Sequence, residues 1–433
     1  MSSYARMYIN DREIYSYRNE IYPDIGYFFS PPDDALELSG AEAAKYAGDQ
    51  YEHPDGDESD EDQVTYPPTA IVYRASVSTI RDRLDVLGFG EGLVREVFGQ
   101  ILSEEIERRE AFLGWEDSKG ASNDLLRKAY ERELPNLQRL TYEKWKNSLR
   151  NQLFERSAHR ADNFAGDSPL ALLERMDPRL IVRSIVSITA GHAIFTLDVS
   201  DLIDGGWLDH ESLRTPIELG HTAYPGPPII ITEGKFDSQV LKEALSLLKP
   251  HLVPFIKFLD YETGNEGGAA ASVRLLNSFA AAGIANRIVA IFDNDSAARE
   301  AVMSIRPSKL PAHFRVLHYP HLATAETYPT LGPQGNSLMD VNGLAGSIEL
   351  YLGLDVLTDE KSQELTPVQW KGYMGKVKSY QGEVINKASI QRTFLAKVAA
   401  AKANPSLAEK QDWSSLNLIL DSLILALAEL YTA

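Results

Sequence analysis

The chain has 433 residues, 44% of them hydrophobic, and a formal net charge of −19. That length corresponds to roughly two or three domains with enough apolar material for real cores. No apolar run reaches the ~18 residues of a membrane span, no cysteine is present for disulfides or thiolate metal sites, and the opening MSSYARMYINDREIY lacks the basic-then-apolar layout of a secretory signal, so a cytoplasmic protein with no membrane partner is expected.

Residues 5–18, ARMYINDREIYSYR, alternate polar and apolar around Asn10-Asp11, which is the pattern of a β-hairpin. Residues 31–68 are acidic and poor in pattern and read as a mobile loop, with HPDGDESDEDQ disordered. Within it, residues 31–62 hold twelve Asp or Glu against Lys45 and so carry −11 of the net −19. Two stretches are basic: 127–160 has nine Lys or Arg against four Glu, and 361–402 has eight against two. The net charge therefore does not exclude a polyanionic partner, although each basic run can equally be a solvated helix face.

From about 76 to 190 the apolar period is helical. Val77, Ile80, Leu84 and Leu87 share a face and Gly88 closes that helix; further helices are expected over about 91–114, 121–134, 137–158 and 169–190. This segment reads as an all-α module. Residues 193–227 form a transition with short strands, and Pro-Gly-Pro-Pro at 225–228 marks a boundary.

The pattern then alternates. Strands are expected at 229–232, 255–259, 287–292 and 314–318, with helices at 237–248, 269–282 and 296–304. Such a βαβαβα run predicts a parallel sheet. Residues 343–433 read as helical again, with a Leu-rich end. Four segments are thus expected: 1–75, 76–227, 228–335 and 336–433.

In an open parallel sheet, ligands bind outside the carboxyl ends of the strands. Glu233 follows the strand IIIT, and Asp293 and Asp295 follow RIVAIF. Like charges brought together there raise one another's pKa unless something neutralises them. A divalent cation does so, and Mg²⁺ takes carboxylate oxygens together with phosphate and water. The alternative for the Asp pair is a turn with a helix N-cap.

These residues resemble the Toprim domain of topoisomerases, DnaG-type primases and OLD-family nucleases: a strand ending in Glu-Gly, here Glu233-Gly234-Lys235-Phe236-Asp237, then an Asp-x-Asp, here Asp293-Asn294-Asp295, with a Gly-rich loop over 260–268 between them. The resemblance covers about 228–320. It implies a metal or acid/base role for Glu233 and a metal role for Asp293 and Asp295, with Mg²⁺ or Mn²⁺ as cofactor. Asp237 lies one helical turn beyond Glu233 and is a further candidate ligand; its alternative is an acidic residue favouring a helix N-terminus. Downstream, Asp340-Val341-Asn342-Gly343 and Gly346 to Leu352 look like the region after the sheet in OLD-like nucleases, which makes Glu349 a candidate ligand. Lys387, in Gly382-Glu383-Val384-Ile385-Asn386-Lys387, is a candidate cation for developing negative charge. For each the plainer alternative is an exposed helix residue.

The opening ARMYINDREIYSYRNE and the later stretch from Thr79 to Phe89 resemble the N-terminal region of bacterial HEPN/Toprim-associated proteins, which are linked to antiphage defence. That implies a HEPN-like bundle ahead of the Toprim core. Active HEPN ribonucleases carry an Arg, then four to six intervening residues, then His on a helix. His159 and His192 lack such an Arg, and the pairs Arg214/His221, Arg306/His313 and Arg315/His321 are interrupted by proline. The HEPN-like part is therefore read as non-catalytic, serving dimerisation, sensing or substrate holding. The resemblances together imply a Mg²⁺-dependent nuclease acting on DNA or tRNA, a homodimer with a possible partner protein in defence. The acidic segment 31–62 is a candidate autoinhibitory mimic of nucleic acid. A non-catalytic scaffold is the rival reading. No tyrosine-bearing DNA-gate domain is evident for a topoisomerase, no cysteine serves a primase zinc module, and no Walker-type loop is present.

Overall fold

The computed structural model describes residues 3–18, 29, 36–46, 69–119, 124–155, 169–206, 226–259, 267–359 and 362–430. The disordered stretch expected at 53–63, the loop 260–266, His159, Arg214 and His221 lie outside the described residues, and with them most of the acidic segment. The four segments expected from the sequence fall into two compact units, Met1–Leu84 with Phe89–Gly220 and Asp85–Gly88 with His221–Tyr431.

Between 76 and 190 the described elements are all helices, as expected, but the first unit as a whole is mixed. It contains a five-stranded antiparallel sheet built from β1 (Tyr4–Ile9), β2 (Arg12–Arg18), β3 (Leu36–Ser39), β4 (Thr69–Ser76) and β5 (Ile194–Asp198), in the order β2-β1-β5-β4-β3. The hairpin β1–β2 turns at Asn10, whose φ of 53° is the left-handed conformation that asparagine tolerates. The helical stretch is an excursion between β4 and β5, which are neighbours in the sheet. Its helices are α1 (Val77–Leu87), α2 (Glu91–Lys119), α3 (Asp124–Gln138), α4 (Tyr142–Arg150), α5 (Pro169–Leu173) and α6 (Pro178–Ser187), and α7 (Ser200–Asp204) follows β5. The sheet was obscured in the sequence because its strands are short and scattered, and because β4 buries residues on both faces instead of alternating cleanly. The loop reading of 31–68 likewise missed β3.

Helix α3 runs through Pro135 and ends at Gln138, so the break expected before 137 falls instead at 139–141, where Thr141 caps α4 by accepting from the Lys144 N–H. A buried Arg109 joins α2 to α3 by donating to Glu105 at 2.9 Å and to Glu133.

The second unit carries a four-stranded parallel sheet made of β6 (Ile229–Ile231), β7 (Lys257–Phe258), β8 (Ile288–Phe292) and β10 (Phe314–His318), in the order β10-β8-β6-β7. Helices α8 (Lys235–Leu248), α9 (Ala269–Ala281) and α10 (Ser296–Val302) connect them. Every residue of β8 is buried. Ile288, Ala290 and Phe292 pack with Val273, Leu276 and Ala298 of α9 and α10. Val289 and Ile291 point to the opposite face, and α12 (Ser414–Glu429) packs against β8, after α11 (Lys387–Ala403).

The region after residue 335 is not simply helical. A second four-stranded sheet, β12-β11-β14-β15, is formed by β11 (Tyr328–Gly332), β12 (Gly335–Met339), β14 (Val368–Met374) and β15 (Ser379–Val384). The helical reading came from the Leu-rich end. The alternating segments around Trp370 and Tyr380 are β-like in composition and were the overlooked signal. A two-residue ladder joins β9 (Asn294–Asp295) to β13 (Ala345–Gly346), pairing Ala345 with Asp295 and Gly346 with Asn294. Gly346 is required there: a Cβ would stand 2.5 Å from the Asn294 carbonyl oxygen and 2.8 Å from the Asn294 Cβ.

Candidate functional site

Strand order places the site. From β6 the chain moves to one side for β7 and to the other for β8 and β10, so the direction reverses between β6 and β8. At such a switch point the loops diverge and leave a crevice at the carboxyl edge. Glu233 leaves the end of β6, Asp293 the end of β8, and Tyr319 the end of β10.

The side chains meet across that crevice. Glu233 Oε1 accepts the Asp293 N–H at 3.0 Å, and the Ala269 N–H at the start of α9 also bonds the Glu233 carboxylate. The backbone beneath is fixed by the Gly268 N–H, which donates to the Glu233 carbonyl at 2.6 Å, and by Ser272 Oγ, which donates to the Thr232 carbonyl at 2.9 Å. Gly268 holds a φ of 101°, which favours glycine. Asp237, in the first turn of α8, accepts from the Tyr319 hydroxyl at 2.9 Å. His318 Nδ1 donates to the Asp293 carbonyl at 2.8 Å, which sets the proton on Nδ1.

Glu349 reaches the same place from far along the chain. The β9–β13 ladder carries residues 345–351 to the sheet edge, and Glu349 is buried there at 3% exposure. Ser347 Oγ donates to its Oε2 at 2.7 Å and Gln391 Nε2 to its Oε1 at 2.9 Å. Lys387 Nζ lies 3.4 Å from Glu349 and 3.3 Å from Glu383. Lys387 is the first residue of α11, where the helix dipole disfavours a cation; the neighbouring carboxylates supply the compensation.

Asp295 takes the capping alternative. Its Oδ1 accepts the Ala298 N–H at 2.8 Å at the start of α10, and its Oδ2 accepts from Gln381 Nε2 at 2.7 Å. It stands close enough for its charge to act on Glu233 and Asp293.

The electrostatics follow from burial and crowding. Burial drives Glu233 up to about 7, with the charges of Asp295 and Asp237 adding and the N–H bonds from Asp293 and Ala269 opposing. Burial likewise pushes Asp237 up to about 6, against the Tyr319 hydroxyl bond and Lys387 but with Glu349. Asp293 lies well above the carboxylate range, through burial and then through Glu233, Asp237, Asp295 and Glu349. Burial alone would lower Lys387, but Glu349, Glu383 and Asp293 outweigh it and raise the ammonium. Asp293 Oδ1 is a buried oxygen with no hydrogen-bond partner, a rare and costly arrangement for a carboxylate.

The donor set is one of hard oxygens, which suits Mg²⁺ or Mn²⁺, and the orphaned Asp293 Oδ1 is the atom that such an ion would satisfy. Most of the other carboxylate oxygens are spent on protein donors. Accordingly, among the described residues no three His, Asp or Glu side chains converge as ligands on one point.

The structure thus brings Glu233, Asp237, Asp293, Glu349 and Lys387 together, with Asp295 alongside as a helix cap. Sequence reasoning missed Tyr319, His318, Gln381 and Gln391. The first two had an available signal, since they end the strand Phe314–His318 and begin its loop on the same sheet edge. The glutamines had none. Of the histidines considered for a HEPN motif, His192 lies exposed in the turn before β5, His313 bonds the Ile284 carbonyl at 2.9 Å, and His321 pairs with Glu326 at 2.9 Å.

Fold and site together define a mixed α/β protein with a carboxylate cluster at the switch point of a parallel sheet. A family model described as HEPN/Toprim N-terminal domain 1 matches residues 1–219, half of the chain, and the chain belongs to that family. No curated protein matches the chain, and no solved structure matches it. No helix among the described residues is long and apolar enough to cross a membrane.

Proposed function

We propose that the second unit is a Toprim-type catalytic core, similar to that of OLD-family nucleases, and that the chain is a divalent-cation-dependent nuclease of bacterial antiphage defence acting in the cytoplasm on DNA or tRNA. The family name itself joins HEPN to Toprim, both associated with nucleases. The observation that carries the reading is the Asp293 carboxylate, buried with an unpartnered Oδ1 among Glu233, Asp237 and Glu349. Such a cluster is costly to maintain without a ligand of opposite charge.

Asp293, with Glu233, Asp237, Asp295 and Glu349 around it, would hold Mg²⁺ or Mn²⁺, which when bound supplies charge neutralisation for a phosphodiester and its displacement. Glu233, raised to about 7, is poised near neutrality to accept a proton from an attacking water. Lys387, held protonated by Glu349 and Glu383, offers positive charge for the leaving oxygen. Asp295 holds α10 and Gln381 in register, and Tyr319 orients Asp237. The first unit serves dimerisation, sensing or substrate holding, and the acidic segment 31–62 regulates access; deleting 31–62 should raise activity and change its salt dependence, and an unchanged profile refutes that role.

The decisive test is incubation of the purified protein with plasmid, single-stranded DNA and tRNA in Mg²⁺, Mn²⁺ or EDTA. Cleavage that is lost in EDTA and in Asp293→Ala is expected. A second reading, a Toprim-fold scaffold without turnover, is favoured by the lack of three converging ligands among the described residues. It is supported if no substrate is cut and calorimetry detects no metal binding.

A further inference from the structure

The second sheet ends in the ribbon β14–β15, which carries Trp370, Tyr373 and Tyr380 interleaved with Lys371, Lys376 and Lys378. Tyr373 and Tyr380 are directly opposite one another, with ring centroids 5.3 Å apart and edge to face. Trp370 lies 6.4 Å from Tyr380 in the same attitude. Edge contacts of this kind steady a ribbon, but they leave ring faces unused, and Tyr373 and Tyr380 remain 58% and 54% exposed. Residues 368–384 hold three lysines against one glutamate, a basic stretch in a chain of −19. The pairs Lys371–Glu383 at 3.4 Å and Lys376–Glu300 at 2.8 Å are solvent-exposed ones, which are weak and readily exchanged for phosphate.

The other face of the ribbon is fastened to the candidate site. Ser296 Oγ donates to the Tyr380 carbonyl at 2.8 Å and lies 2.8 Å from Ser379 Oγ. Gln381 accepts the Ala297 N–H at 2.9 Å and donates to Asp295 at 2.7 Å. Alternation along β15 therefore turns Ser379 and Gln381 toward α10 and Tyr380 away from it. The ribbon is fastened to α10 beside the carboxylate edge, with Trp370 half-buried and Tyr373 and Tyr380 exposed on its other face.

We propose that this ribbon is a binding platform for single-stranded nucleic acid, with bases stacking on Trp370, Tyr373 and Tyr380 and phosphates meeting Lys378 at the turn, while Lys371 and Lys376 add positive charge from the α10 side. The proposal rests on the nuclease reading for its purpose, presenting a strand to the centre, but the binding itself does not depend on turnover. Stacking on aromatic faces requires unpaired bases, which a duplex does not offer. A second copy of the chain is a poorer occupant, because a two-fold contact would set the same lysines against each other.

The test uses the full chain carrying Asp293→Ala, in EDTA, and fluorescein-labelled oligo-dT and oligo-U with a duplex of equal length, followed by anisotropy. The single strands should bind more tightly than the duplex, and the two sequences separate DNA from RNA. Tyr373→Ala with Tyr380→Ala should weaken single-strand binding tenfold or more, whereas Tyr373→Phe with Tyr380→Phe should retain it, because the ring faces survive. Lys378→Ala should lower the salt slope by about 0.7. Unchanged binding by the alanine pair, with an unaltered melting curve, overturns the proposal, as does equal binding of duplex. So does a parent that is dimeric through this face, shown by an alanine pair that becomes monomeric and binds oligonucleotide as before. If the unsubstituted protein cuts nothing while the alanine pair loses the oligonucleotide, the platform stands and the nuclease reading falls. If it cuts and the alanine pair binds and cuts equally well, the platform alone falls.

Discussion

Replacing Glu233 with glutamine separates the cost of burying a charge from the shape of the group that carries it. Glutamine keeps an Oε1 that can accept from the Asp293 N–H, the 3.0 Å bond of the native residue. The carboxyl is raised from its ordinary 4.5 to about 7, burial being the largest cause. A group raised on folding contributes stability fully below its unfolded pKa and loses it as pH rises through the folded one. The native protein should therefore lose stability between about pH 4.5 and 7 from this residue alone, by up to about 3 kcal/mol at 1.36 kcal/mol per unit. Glu233→Gln removes that loss. Urea unfolding in EDTA, followed by intrinsic fluorescence at pH 5 and pH 8, should show the variant close to the native protein at pH 5 and more stable at pH 8. Equal destabilisation at both pH values would refute the reasoning, because it would mean that the hydrogen-bond geometry and not the charge dominates. In the nuclease assay the same variant should be inactive, a stability gain bought with function.

Gly346→Ala should cost about 1–3 kcal/mol through overpacking against Asn294, read by thermal unfolding, and should reduce cleavage beyond what lost stability explains, because the displaced ladder carries both Asp295 and Glu349. Tyr319→Phe leaves Asp237 without its 2.9 Å donor; a destabilisation of about 1–3 kcal/mol is expected at pH 8, shrinking at pH 5 as Asp237 protonates, and a pH-independent change would exclude that origin. Lys387→Met removes the cation facing Glu349 and Glu383 and should cost about 1–3 kcal/mol at neutral pH, with cleavage falling while single-strand binding is kept; full activity in this variant would remove Lys387 from the mechanism.

The parallel sheet was legible because its strands are fully buried apolar runs, such as Ile288–Phe292, each followed by a helix pattern. Glu233, Asp237, Asp293 and Asp295 could be placed because a residue directly after such a strand must lie at the carboxyl edge. Glu349 was reached through resemblance and Lys387 as a cation of the basic C-terminal stretch, since nothing local distinguishes either from a surface residue; the position of Glu349 depends on a two-residue ladder that has no sequence signature beyond Gly346. Asp295 is legible from the sequence both as a carboxylate at the strand end and as an N-cap, and its oxygens serve the cap and Gln381. The sheet of the first unit escaped because pairing partners such as Tyr8 and Thr196 are far apart in the chain, and periodicity reports a strand's face without reporting its neighbours.

The ladder between β9 and β13 also fixes when the centre can exist. Its groups run from position 233 to position 387, and Glu349 and Lys387 leave the ribosome last. A nascent chain that has folded only its first strands and helices presents Asp293 without the residues that complete the cluster. Contacts so distant in sequence also close late in folding. On the nuclease reading proposed above, completion of the fold decides when the centre first exists, because a chain that ends before position 349 lacks two of its groups.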